Sequence, residues 1–101
     1  MSDFFITRQM LVLSLQRALP GAAHPQLRQA SIEADDALQL IRLRFEYDGN
    51  PGADVRESCS IAAAEVIADF PDYGLDEQHV PAPEPSRLSP LRYVAYRRAE
   101  S

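Results

Sequence analysis

Few residues in this chain have side chains capable of covalent or metal chemistry. Cys59 is the one cysteine. It falls in the middle of an apolar stripe, where a thiol behaves as a small hydrophobe with a raised pKa. Neither His24 nor His79 has an evident reason to approach it, so no nucleophile is expected. The two histidines sit in loop or edge positions, far apart in sequence, and read as surface residues. No His-x-x-x-His, second cysteine or dense ligand cluster would hold a metal. Asp35-Asp36 and Asp48-x-Asn50 look like pieces of a calcium loop. Pro51 interrupts that pattern and no glutamate closes it, so both read as turns. Gly21, Gly49, Gly52 and Gly74 are too scattered to cradle a phosphate, and no Gly-x-Ser-x-Gly elbow occurs. Glu57, Glu65 and Asp69 could share a helix face, but exposed carboxylates are poorly placed for acid–base catalysis. The residues therefore predict no enzyme, no cofactor and no metal site.

Charge is more informative. The chain has 101 residues and a formal charge of −5, and all ten basic residues are arginine. From Glu33 to Glu77 twelve acids face only Arg42, Arg44 and Arg56, a local balance of −9. The segments on either side are each +2. This balance disfavours nucleic acid and anionic lipid as partners, whereas an acidic field speeds encounter with a basic protein. The candidate contact residues are Glu33, Asp35, Asp36, Asp54, Glu57, Glu65, Asp69, Asp72 and Tyr73. Tyr47, Tyr93 and Tyr96 are further candidate anchors, since tyrosine is enriched at interface hot spots. The competing reading is that the acids are merely solvated and the tyrosines half-buried. The N-terminus offers neither a spanning segment nor a convincing export signal. That and the single cysteine predict a cytoplasmic protein.

These residues must be positioned by a small set of elements. Residues 4–19 predict a first helix, with Leu11, Leu15, Ala18 and Leu19 on one stripe and Pro20-Gly21 as the stop. Residues 27–34 predict a strand in which Arg28, Ala30, Ile32 and Ala34 share a face. Residues 38–47 predict the clearest strand: Ile41, Leu43, Phe45 and Tyr47 face the core, while Leu40, Arg42, Arg44 and Glu46 face solvent or a partner. A tight turn makes these two strands a hairpin. Either Asn50 with Pro51, or Gly52, caps the second helix, residues 53–70. Its stripe is Val55, Cys59, Ala62, Ala63, Val66, Ile67 and Phe70. Residues 75–80 predict an edge strand. Pro81, Pro83, Pro85 and Pro90 then impose an irregular loop. Residues 91–98 predict a last strand, with Tyr93 and Ala95 on one face and Val94 and Tyr96 on the other. The fold class is α+β: one domain over residues 1–101, a two-layer sandwich in the order αββαββ. An antiparallel sheet of about four strands carries both helices on one face.

Several segments together resemble a known family. They are Leu15-Gln16-Arg17-Ala18-Leu19 with Gly21, Pro25-x-Leu27-Arg28 with Ser31-Ile32, and Ile41-Arg42-Leu43-Arg44-Phe45-x-Tyr47-Asp48-Gly49. The set continues with Ala64-Glu65-Val66-Ile67-Ala68-Asp69-Phe70-Pro71-Asp72-Tyr73 and closes on Val94-Ala95-Tyr96-Arg97-Arg98. It is similar to small bacterial immunity proteins of contact-dependent growth inhibition and related polymorphic-toxin systems. The resemblance implies a cytosolic protein that binds and blocks one cognate toxin, carried as the C-terminal domain of a large exported protein and often a nuclease. It assigns no contact residues, so the acids above are chosen by charge. The alternative function is a structural or adaptor module that homodimerises through an edge strand.

Overall fold

Proline, glycine and paired acids punctuate the chain, and the computed structural model, which describes residues 6–99, ends its elements near them. The helix α1 (Arg8–Ala18) starts at Thr7, whose hydroxyl accepts from the Met10 amide at 3.2 Å. It runs into a 3-10 turn (Leu19–Gly21) at Pro20. Residues 4 and 5 of the expected helix lie outside the described residues, as do Asp3 and Glu100. There follow β1 (Leu27–Asp35), β2 (Leu40–Tyr47), α2 (Ala53–Ala68), β3 (Gly74–Pro81) and β4 (Tyr93–Arg97). Gly52 caps α2 without a side-chain bond, so the second of the two cap assignments holds.

The α+β layering is as the pattern predicts. Leu11, Leu15 and Leu19 from the first helical segment join Cys59, Ala62, Ala63, Val66 and Phe70 against Ile41, Leu43, Phe45 and Tyr47. Burying each large member of this set stabilises the fold by roughly 1.5–3 kcal/mol. Both helices thus cover one face of a four-stranded sheet in the order β3-β2-β1-β4.

The sheet is mixed, which corrects the wholly antiparallel expectation. β1 pairs antiparallel with β2 and with β4, but β3 runs parallel to β2, Ile41 opposite Leu75 and Phe45 opposite His79. The cause is α2. A helix between two neighbouring strands returns the chain to the end where it started, which makes the second strand parallel.

Two bulges reset the facing of side chains. The β1–β2 register shifts between Leu27 and Gln29, so Leu27 and Ala30 both reach the core. Arg28 is therefore not on the face of Ala30 and Ile32, as simple alternation predicts. The β1–β4 register shifts between Ala30 and Ser31, which places Tyr96 opposite Ala30 and Tyr93 opposite Ile32. Both rings consequently pack against the core from one face.

The other sheet face is not open to solvent along its length. Residues 82–92 form a strap across it, held by side chains of β1 and β2. Glu46 Oε2 accepts from the Ser89 amide at 2.6 Å, and Ser31 Oγ accepts from the Leu91 amide at 2.9 Å. Glu33 Oε1 accepts from the Arg92 amide at 3.1 Å. Glu46, expected to face solvent or a partner, is 1% exposed. Its second oxygen accepts from the Gln29 side-chain amide at 2.9 Å, so both oxygens of the buried carboxyl have partners.

Candidate functional site: an acidic docking surface

The nine charge-selected residues divide into two groups. Glu33 and Asp35 lie on the strap face of the sheet, where cross-strand alternation brings Arg42 between them. Arg42 pairs with Glu33 at 3.3 Å, Asp35 at 3.7 Å and Asp76 at 3.7 Å. Three carboxylates around one guanidinium leave a local surplus of negative charge, but each is already engaged within the fold. Asp35 also caps the hairpin turn by accepting from the Leu38 amide at 3.0 Å. Asp36, in that turn, accepts from the Tyr73 hydroxyl at 2.7 Å. The Asp36 carboxylate beside it is the main reason the Tyr73 phenol is raised above its ordinary value.

The second group belongs to α2 and its C-terminal turn. Asp69 is less available than the helix pattern suggests, because it accepts from the Ser14 hydroxyl of α1 at 2.6 Å. Asp54, Glu57, Glu65 and Asp72 are exposed. At about 100° per residue, Asp54, Glu57, Ala64, Glu65 and Ala68 all fall within about 60° of Ile61. All six are exposed, and none is basic. Arg56 lies on another side of the helix. Ile61 is 56% exposed, a large apolar side chain with acids four residues before and after it. Charge reasoning missed it. The available signal was a β-branched apolar residue on the side of the helix away from the core stripe.

Of the tyrosine anchors, Tyr47 has no exposed surface, so its place on the core face of the strand holds and its role as an anchor does not. Tyr93 is half-buried beneath the guanidinium groups of Arg8 and Arg92, 5.9 and 5.3 Å from its ring centre. Tyr96 and Tyr73 are also half-buried against the core.

His79 corrects a further expectation, since its side chain is only 8% exposed. Its ring stacks on Phe45 and Tyr47, with centroids 5.5 and 5.8 Å away. Its Nδ1 lies 2.7 Å from the Tyr47 oxygen and its Nε2 lies 2.6 Å from Glu77. Glu77 also accepts from the Ser60 hydroxyl. A proton on Nε2 satisfies both histidine contacts, with Tyr47 donating to Nδ1. This chain of bonds ties the edge strand β3 to α2 and β2. Burial pushes the Tyr47 phenol far above its ordinary value, with adjacent Cys59 contributing, and burial also raises the Cys59 thiol. Neither group is poised to act as a nucleophile. His24, on the opposite side of α2, is half-buried at 3.1 Å from the Ser58 hydroxyl.

The surface that this geometry leaves available is acidic, helical and centred on one apolar side chain. A family model described as MafI2 immunity protein matches residues 8–100. The chain belongs to the MafI2 immunity protein family. An immunity protein has a toxin as its partner, and the MafI2 assignment suggests a binding role over an enzymatic one. It agrees with the polymorphic-toxin resemblance carried by the sequence segments. No curated protein matches the chain significantly. Among the described residues of this MafI2 family member, no helix is long and apolar enough to cross a membrane.

Proposed function

We propose that this protein neutralises a cognate toxin domain by stoichiometric occlusion, and that the exposed face of α2 makes the principal contact. The observation that carries the reading is the coincidence of family and surface: an immunity protein whose longest helix presents Asp54, Glu57 and Glu65 around exposed Ile61. Such a surface fits a basic partner with an apolar recess. A nuclease, which must hold phosphates, has a basic surface of this kind. The toxin would be the C-terminal domain of a large exported protein, met in the cytoplasm. Glu33 and Asp35, tied to Arg42, would add field without direct contact.

The test is affinity for the cognate toxin domain, measured with purified variants. Glu57→Lys with Glu65→Lys is expected to weaken binding by about 100-fold, as close interfacial charge pairs each carry 1.5 kcal/mol or more. Ile61→Ala is expected to cost about tenfold as loss of a central anchor. Both sets lie on exposed helix positions, so circular dichroism should be unchanged. Unaltered affinity in both would move the contact to another face. The alternative of a homodimer draws on the open sheet edges at β3 and β4. It predicts a two-chain mass at micromolar concentration without toxin, and a monomer there excludes it.

A further inference from the structure

An acidic chain has little reason to gather its arginines, yet four of the ten line one recess. The recess has a volume of about 420 Å³ and lies between the strap and β4. It is lined by Arg28, Ser86, Arg87, Leu88, Arg97 and Arg98, with no acid among them. Two of the four guanidinium groups are held by the fold. Buried Arg28 donates from Nη1 to the carbonyls of Ala82 at 2.6 Å and Ser86 at 2.9 Å. Arg98 donates to the Pro25 carbonyl at 2.7 Å and pairs with Asp48 at 3.2 Å and Glu84 at 2.8 Å. The other two stand ready for a ligand. Arg97 is exposed and spends its Nε on Gln29 at 2.9 Å, while exposed Arg87 makes no hydrogen bond or ion pair among the described residues.

We propose that this recess binds a single oxyanion, a carboxylate or phosphate group, gripped by Arg87 and Arg97. Each guanidinium presents parallel donors that match two oxygens of such a group. A long polyanion is disfavoured, because the acidic remainder of the chain repels it. The volume also suits one group or a small molecule more than a chain segment. The two sources of the anion are free phosphate and an Asp or Glu side chain of a bound protein. Only the second source rests on the toxin-binding reading. A toxin carboxylate here would be a contact opposite in sign to the α2 surface, on the other face of the sheet, and would fix orientation.

The experiment titrates isotope-labelled protein, without toxin, with inorganic phosphate and separately with N-acetylglutamate α-amide, whose one carboxylate is that of the side chain. Ionic strength is held constant with chloride, and the side-chain Nε–H resonances of Arg87, Arg97 and Arg17 are followed. Saturating shifts of Arg87 and Arg97, with Arg17 unmoved, are expected. Affinity, read in the variants from the backbone amides of Leu88 and Tyr96, should fall about tenfold in R87A/R97A, the loss expected from one charge-assisted contact or more. R87A alone should lose about threefold and serves if the double variant fails to fold. Tighter phosphate binding identifies a free ion, and tighter carboxylate binding identifies a protein side chain. A linear drift shared by all three arginines overturns the proposal. Because toxin is absent, that result leaves the immunity reading standing, and loss of the α2 contact leaves this one standing.

Discussion

Asp48 joins three separated parts of the chain. One oxygen accepts from the Glu84 amide at 2.9 Å, and the other pairs with Arg98 at 3.2 Å. The amide first, and then Arg98, hold its carboxyl below the ordinary value of 3.8. A carboxylate with a lowered folded pKa stabilises the protein fully above the unfolded value, and that contribution is lost as pH falls through the folded one. Asp48→Asn should therefore be less stable than the parent near neutral pH and show a flatter fall of Tm below about pH 4. Thermal melts from pH 7 to pH 2 decide it, and parallel curves would remove Asp48 from the acid response. Such a residue was legible in the sequence only as a turn former before Gly49. Its two partners lie 36 and 50 positions away, beyond any local pattern.

The strap is the element whose role depends most on side chains elsewhere. It has no regular hydrogen bonding of its own, and polar groups of β1 and β2 fix it to the sheet. Glu46 is the central attachment, buried and accepting from both Ser89 and Gln29. Glu46→Ala leaves the buried Gln29 side-chain amide and the more exposed Ser89 backbone amide without this acceptor, at a cost of about 2 kcal/mol in total. Glu46→Gln keeps one carbonyl oxygen and should lose about half as much. Urea unfolding measures the loss, and limited proteolysis should find faster cleavage within residues 83–92. Unchanged stability in Glu46→Ala would show that the other attachments, from Ser31, Glu33, Arg28 and Asp48, hold the strap without it. The helices needed less help. Their apolar stripes and stops were readable, because a helix is specified by neighbours three and four residues apart, whereas the Thr7 cap of α1 was not read and the cap of α2 was left between Asn50 and Gly52.

At the scale of the whole molecule, the two sheet faces differ in covering, and the strap face carries arginines beside the Glu33, Asp35 and Asp76 cluster. The helix face carries the α2 acids, and the strap face carries the arginine recess. Association with a basic toxin should then be steered by long-range charge. Raising salt from about 0.05 to 0.5 M is expected to lower the association rate by about tenfold and to change dissociation much less. Stopped-flow mixing with the toxin domain measures both, and a salt-independent association rate would argue for a contact made by apolar shape alone.

The sequence by itself determined the α+β class, the element order, the buried face of β2 and the acidic middle of the chain. These follow from periodicity, punctuation and composition, all of which are local. Tertiary structure decided the rest. The parallel pairing of β3 follows from the helix that precedes it, and the two bulges turned Arg28 outward and Tyr96 inward. Pairing across the sheet engaged Glu33 and Asp35 within the fold, the Tyr73 hydroxyl engaged Asp36, and packing buried His79. It left Asp54, Glu57 and Glu65 exposed around Ile61 and brought Arg28, Arg87, Arg97 and Arg98 together. Each of these outcomes depends on which distant side chain comes within a few ångströms, and a one-dimensional pattern does not contain that distance.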